Sequence, residues 1–177
     1  MKLPISWLRE FVPVTGSAAQ LAADFTAHGF EAVVESEDRL EVVISYNRGD
    51  CLSIYGLARE YAAWHDRLVT LPELAEVDPI PTLPDLELRL LPEAILSYTA
   101  ARLESFSREL PRVVNQRIEL MGGRLIHPVV DATNYVMWEL GHPLHIFDYD
   151  RLTQKTIIVR EAKKGEKIIS RSPTGEG

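Results

Sequence analysis

Thr133, Asn134 and His145 are the side chains whose types and spacing best fit a small polar site. Thr133 and Asn134 follow the β-branched pair Val129 and Val130, a pattern that predicts a short strand running into a helix. The first N–H groups of a helix point outward and attract polar ligands. The imidazole of His145 has a near-neutral pKa and would complete the site if its loop folds back over the helix start.

The same stretch also has a purely structural interpretation. Asp131, Thr133 and Asn134 are residue types that commonly cap helices, and His142 and His145 can be ordinary loop residues bonded to the backbone. Short motifs often match by chance. The residues alone therefore favour capping over ligand binding.

The elements that would position these residues follow from the surrounding pattern. The predicted helix carries residues 135–140 and ends at Gly141, because glycine tolerates a left-handed exit and Pro143 cannot continue a helix. Residues 142–148 then form a loop with two histidines and an aspartate between apolar residues. The site would lie between the start of this helix and the loop.

Composition limits the classes of function. The chain has 177 residues, of which 46% are hydrophobic and 25% are charged, as in ordinary globular proteins. Its net charge of −7 disfavours nucleic-acid binding over the whole surface, so any RNA contact should be local. No apolar run reaches the roughly 20 residues that span a bilayer, and no signal-type core follows the start. We expect a cytoplasmic protein without membrane contact.

Metal and cofactor sites are not expected. Cys51 is the single cysteine, and no Cys and His cluster has zinc spacing. Cys51 is predicted to be a first-turn helix residue rather than a nucleophile, because no base lies within sequence reach. We assign no certain catalytic residue, no metal ligand and no cofactor.

The first 64 residues predict a small α+β module. Ser17 and Gln20 form a capping box for a helix that ends near His28. Strands are predicted over residues 30–34 and 40–44, and Asp50 is predicted to cap a helix that runs to Trp64.

A proline-rich linker over residues 65–85 should separate this module from a second one, residues 86–177. The linker holds Pro72, Pro79, Pro81 and Pro84. Alternation predicts strands over 86–90 and 97–106, a helix follows Pro111, and β-branched residues predict a strand over 156–160 and another from Lys167. We therefore predict an α+β fold class with two small modules, of which the second has a mixed β-sheet with helices. That sheet ends on a barely started strand, so we expect the module to be cut short or completed elsewhere.

Several ordered blocks resemble the bacterial phenylalanyl-tRNA synthetase β-chain. They are KLPISWLREFVP, LAADFTAHGFE, LEVVISYNRGDCLSIYGLAREYAA, VVDATNYVMWELGHPLHIFD and VREAKKGEKI. The third is similar to the family's Pro-Asn-Arg-Pro-Asp segment, and the fourth to its Val-Val-Asp-x-Thr-Asn-Tyr-Val-Met signature. Such a long ordered match is more specific than a single motif.

The resemblance implies a tRNA editing module that hydrolyses misattached tyrosine, together with the domain before it. It implies that Thr133, Asn134 and His145 line the editing pocket. It also implies tRNA and the synthetase α-chain as partners, with aminoacylation carried by the α-chain.

The chain departs from the family's sequence pattern at several identifiable places. The family's oligonucleotide-binding barrel should be absent, since Glu31 is followed closely by the predicted strand at Leu40. Tyr46 and Gly49 replace two prolines, and His127 with Pro128 replaces an Asn-Asn pair. The family's second editing block, with an acidic pocket residue, and its later domains are not matched. We therefore expect an incomplete pocket.

Three functions remain open at this point. The first is a β-chain-like part of phenylalanine–tRNA ligase with an editing-like pocket. The second is a non-enzymatic module of the same fold that binds an amino acid, a tRNA end or a protein partner. The third is a free-standing hydrolase of mischarged tRNA, which the missing acidic residue and the lack of basic clusters disfavour.

Overall fold

The computed structural model describes residues 1–72, 83, 85–91 and 97–167. It has an α+β fold with two small sheets and five α-helices within those residues. The helices are α1 (Ile5–Phe11), α2 (Ala18–Ala27), α3 (Ile54–Trp64), α4 (Arg112–Leu120) and α5 (Pro128–Leu140). The strands are β1 (Lys2–Pro4), β2 (Ala32–Ser36), β3 (Arg39–Val42), β4 (Glu87–Leu90) and β5 (Thr156–Val159).

The chain divides into two compact units that each contain two separate stretches. The first unit comprises residues 1–76 and 105–146, and the second comprises residues 77–104 and 147–177. This division differs from the predicted modules 1–64 and 86–177, because α4 packs on β1 and α5 packs on α3. The predicted linker prolines Pro79, Pro81 and Pro84 lie outside the described residues.

The core of the first unit forms between a three-stranded antiparallel sheet and its helices. The sheet has the order β1-β3-β2, with Leu3 and Val34 both opposite Leu40 of the central strand. Leu3 and Leu40 are fully buried, whereas β2 at the edge is largely exposed. Alternation in β3 therefore directs Leu40 and Val42 inward and leaves Glu41 in solvent.

The predicted capping box of α2 is confirmed. The Ser17 hydroxyl accepts a hydrogen bond from the Gln20 backbone N–H, and the Gln20 side chain accepts one from the Ser17 N–H. The helix buries Leu21 and Phe25 against the sheet and ends at His28.

The helix predicted to begin at Asp50 begins later. Residues Gly49–Cys51 form a short 3-10 turn, and Ser53 caps α3 through a bond of 2.9 Å from the Gly56 N–H to its hydroxyl. Cys51 is therefore not a first-turn residue of α3. The Ser53 cap sets the helix start, and Gly56 permits the arrangement, since an added Cβ there would lie 2.0 Å from the Asp50 carbonyl oxygen.

The predicted strand at Val129 and Val130 is wrong, because both residues belong to the first turn of α5. Pro128 fixes a helical φ at the first helical position, where its missing N–H costs no bond. The His127 Nδ1 accepts a bond from the Val129 N–H and so caps the helix. Local capping therefore outweighs the strand preference of two valines.

Asp131 holds the chain segment that enters α5. Its carboxylate is buried and accepts the Ile126 N–H on both oxygens, at 3.0 and 3.1 Å. Asp131 is thus not the N-cap residue that the sequence suggested. It lies one turn into the helix and bonds back to the residue before the cap.

Strands β4 and β5 of the second unit pair in parallel. Glu87 lies opposite Thr156 at one end of the pair, and Leu90 lies opposite Val159 at the other. Both strands were predicted. The strand predicted over residues 97–106 is not formed, and Leu103 and Phe106 are 65% and 54% exposed. Alternation alone does not form a strand that has no neighbour to pair with. Of the strand predicted from Lys167, only that first residue is described, and it is not in a strand.

We expect Asp131→Ala to lower the free energy of unfolding of the first unit by about 1–2 kcal/mol, because the Ile126 N–H loses its acceptor at a helix start. Urea denaturation followed by tryptophan fluorescence would measure this, since all tryptophans lie in the first unit. Glu119→Ala, at an exposed position of α4, is the matched control. Equal stability of the two variants would contradict this role of Asp131.

Candidate functional site

The site helix α5 is attached to the N-terminal core through an aromatic stack. The rings of Trp7 and Tyr135 lie 4.9 Å apart with an interplanar angle of 24°. The Glu139 carboxylate accepts bonds from the Tyr135 hydroxyl at 2.8 Å and from the Trp7 Nε1–H at 3.3 Å. Trp7 is almost completely buried. One face of α5 is therefore fixed to α1.

Arg117 of α4 contacts the same pair of aromatic side chains, Trp7 and Tyr135. Its guanidinium donates to the Tyr135 hydroxyl at 2.7 Å, lies 4.9 Å from the centre of the Trp7 ring, and pairs with Glu10. Burial and the Glu139 carboxylate together raise the pKa of Tyr135 to about 12, although Arg117 opposes the shift. The phenol is neutral at physiological pH and acts as a positioning group.

Two glycines, one before α5 and one after it, shape the chain around this helix. An added Cβ at Gly123 would lie 2.6 Å from Trp138 Cη2, so a glycine is needed where the segment before α5 passes this ring. Gly141 ends the helix in the left-handed conformation, with a φ of 80°. The predicted helix end is therefore confirmed.

Thr133 and Asn134 lie in the second turn of α5 and not at its start. The Thr133 hydroxyl donates to the Val130 carbonyl oxygen at 2.7 Å. The Asn134 amide makes no side-chain hydrogen bond within the described residues. Both side chains are half-buried. The predicted capping role of these two residues is wrong, because the helix begins one and a half turns earlier.

His145 lies in the exposed loop of residues 142–148, which follows the opposite end of α5. Thr133 lies about 10 Å along the helix axis from Leu140, the last helical residue. The structure places Thr133 and Asn134 next to each other on one helix. The helix starts at Pro128 and not at Thr133. Thr133 therefore has no free helix N–H groups beside it that His145 could face, as the sequence had suggested.

The sequence pattern did not indicate that Tyr135, Glu139 and Arg117 hold this helix. The spacing of Tyr135 and Glu139, four residues apart on one helical face, is a usable signal for a side-chain pair. The contact between Trp7 and Tyr135 had no local signal in the sequence.

One acidic cluster in the first unit has the composition of a metal site. Asp50, Cys51 and Glu60 offer ligand atoms within 4.8 Å of one another, and no other such group of three occurs in the part of the chain that the structure describes. The Arg48 guanidinium, however, already bonds to all three, at 2.8, 3.0 and 2.7 Å. A permanent cation thus occupies the centre of the cluster.

Electrostatics make Cys51 unreactive in this setting. Burial, and then the hydrogen bond to Asp50, raise the pKa of the Cys51 thiol to about 12. The bond from Arg48 lowers the pKa of Asp50 to about 2. The thiol is therefore neutral and enclosed, which agrees with its interpretation as a structural residue.

Among the described residues, no helix combines the length and the apolar character that a bilayer span requires.

Comparison with known proteins relates both units to one group of proteins. Residues 95–172 match the B3/4 domain. The chain is 44% identical over 133 residues to the phenylalanine–tRNA ligase beta subunit of Gloeobacter violaceus, which covers 74% of the chain and 17% of that protein. It is 39% identical over 137 residues to the beta subunit of Thermotoga maritima, covering 76% and 17%. The chain thus spans under a fifth of the length of these relatives.

We expect Cys51 to react with a thiol-specific disulfide reagent at pH 8 at least 100-fold more slowly in the folded chain than in denaturant, because a pKa near 12 leaves very little thiolate. At a pH between 9.0 and about 12, the thiol is protonated in the folded chain and deprotonated in the unfolded chain, because its pKa is 9.0 in the unfolded chain. The contribution of this group to stability should therefore decrease as the pH rises above about 9. Rapid labelling of the folded chain would contradict the buried placement.

Proposed function

Because the chain is related over about three quarters of its length to bacterial phenylalanine–tRNA ligase β subunits, we propose that it supplies one wall of a β-subunit editing pocket. That pocket would bind tyrosine misattached to tRNA and promote hydrolysis of its ester. The match of residues 95–172 to the B3/4 domain carries this proposal, since Thr133, Asn134 and His145 all fall inside it.

The hydrogen-bonding groups of α5 support recognition of a phenolic side chain. The Thr133 hydroxyl donates its proton to the Val130 carbonyl, so its oxygen is left as an acceptor. The Asn134 amide has both a donor and an acceptor available. A site that hydrogen-bonds a substrate hydroxyl rejects the analogue lacking it by a large factor, which is the discrimination needed between tyrosine and phenylalanine.

The anchoring of α5 supports the positioning that hydrolysis requires. Holding an ester and a water in a fixed relative geometry lowers the entropic barrier, provided that the groups holding them do not move. Tyr135, next to Asn134 in the chain, is fixed by Trp7, Arg117 and Glu139. His145 would act from the exposed loop as a proton donor or acceptor.

The remaining parts of the activity are proposed to come from elsewhere. The relatives are more than five times as long as the region matched here. We assign the opposite wall of the pocket, aminoacylation and most tRNA contacts to further polypeptide or to a synthetase α subunit. The net charge of −7 is consistent with local rather than extensive contact between this chain and RNA.

A second candidate is a non-enzymatic module that binds an amino acid, a tRNA end or a protein without hydrolysis. One observation favours it. His145 lies in an exposed loop beyond the C-terminal end of α5, so the described structure does not assemble the predicted arrangement of helix start and histidine.

Hydrolysis of tyrosine-charged phenylalanine tRNA separates these functions, measured with a bacterial β subunit in which this chain replaces the matching region, so that the opposite wall of the pocket is present. We expect a rate above the uncatalysed one and a fall of about 100-fold in its catalysed part on His145→Ala, as for loss of a general acid or base. His142→Ala, in the same exposed loop, is the matched control and should retain the rate.

The other outcomes are also decisive. Equal hydrolysis by the His145→Ala and His142→Ala variants would exclude a role for His145. Tyrosine binding without hydrolysis, weakened by Asn134→Ala, would instead establish the binding module. The absence of both hydrolysis and tyrosine binding would refute the editing function and amino-acid binding, and would leave only a tRNA end or a protein as the partner of the second candidate.

A further inference from the structure

A polar cavity of about 330 Å³ opens in the first unit between α2, α3 and the segment before α2. It is separate from Thr133, Asn134 and His145, none of which lines it, and is independent of the proposed editing function. The polar side chains of its lining are the buried Tyr61 phenol, the Arg67 guanidinium, the Asp24 carboxylate, the Gln20 amide, the His65 imidazole and the Thr15 hydroxyl, and Gly16 also lines it.

The carboxylate and side-chain amide oxygens of the cavity already have partners. The two Asp24 carboxylate oxygens contact imidazoles, one at 2.7 Å from His65 Nε2 and the other at 3.2 Å from His28 Nδ1. The Gln20 side-chain oxygen accepts the Ser17 N–H at 2.8 Å. A ligand that needs acceptors would therefore find these oxygens engaged.

The donor groups are largely available. The Tyr61 side chain is 3% exposed, yet its hydroxyl has no hydrogen-bond partner in the described part of the chain. Arg67 uses one terminal nitrogen on the Pro13 carbonyl oxygen and keeps its other N–H groups. The Gln20 amide nitrogen keeps both of its protons, because only its oxygen is used in the capping box.

The Arg67 guanidinium supplies positive charge at the cavity. Burial raises the pKa of the Tyr61 phenol, Arg67 acts against that shift and the Asp24 carboxylate adds to it, so the phenol remains a neutral donor. The N-terminal turn of α2 borders the cavity through Gln20, and a helix N-terminus carries partial positive charge. Asp24 opposes an anion, but its charge faces the two imidazoles.

We propose that this cavity binds a small phosphate-type oxyanion, held by the Arg67 guanidinium, the Tyr61 hydroxyl and the Gln20 amide. The volume admits a phosphate ester as well as the free ion. A fork of guanidinium N–H groups beside a hydroxyl matches the several acceptor oxygens of phosphate.

Titration of the isotopically labelled full chain with inorganic phosphate, at constant ionic strength against chloride, tests the proposal by NMR. We expect saturable shifts centred on the amides of Gly16, Tyr61 and Arg67. Arg67→Gln should weaken binding about 10-fold, and Tyr61→Phe about 3-fold to 10-fold because one hydrogen bond is lost while the ring remains. Arg59→Gln, at an exposed position of α3 that does not line the cavity, is the matched control and should bind normally.

A parallel titration with adenosine monophosphate identifies the source of the phosphate group. Tighter binding of the nucleotide with the same residue dependence assigns the cavity to phosphate esters, and equal binding assigns it to the free ion. No localised shift with either probe up to about 10 mM, or equal weakening by Arg67→Gln and Arg59→Gln, would overturn the proposal.

Discussion

The stacking of Tyr135 on Trp7 is the contact on which the position of the candidate site depends. It brings together residues from α5 and α1 that are far apart in sequence, and Glu139 and Arg117 bond to the same pair. An aromatic pair contributes about 0.5–1.5 kcal/mol beyond its buried area, and a guanidinium on a ring adds about 0.5–2 kcal/mol. Asp131 is the only buried residue of α5, and Tyr135 and Trp138 are half-buried against the core, so the contacts of Tyr135 contribute to holding the helix.

This attachment explains why the compact units do not follow the chain order. The part of the chain after residue 105 that contains α4 and α5 packs against the sheet and α3 of the N-terminal segment. The B3/4 match at residues 95–172 therefore includes residues from both units. A sequence match defines common ancestry along the chain, whereas a compact unit is defined by packing, and the two need not share boundaries.

Features set by neighbouring residues were predicted well. The capping box of Ser17 and Gln20, the exit at Gly141 and the alternating strand β4 all depend on a few adjacent side chains. The strand predicted at Val129 and Val130 failed because Pro128 and His127 begin a helix there. The strand over residues 97–106 failed because strand formation needs a partner, which a local pattern does not specify.

The candidate site was predictable only in part for the same reason. The resemblance selected Thr133, Asn134 and His145, and their roles remain a prediction. The residues that hold the helix, Arg117 and Trp7, come from distant parts of the sequence and gave no local signal. The cavity beside Tyr61 likewise depends on α2 and α3 meeting in space.

A double-mutant cycle between Trp7→Leu and Tyr135→Leu, followed by urea unfolding, tests the central claim that this contact attaches α5 to the N-terminal core. We expect each change to destabilise the first unit and the two effects to couple by about 1 kcal/mol or more. Effects that add within about 0.3 kcal/mol would contradict it, because residues that do not depend on each other cannot position the helix together.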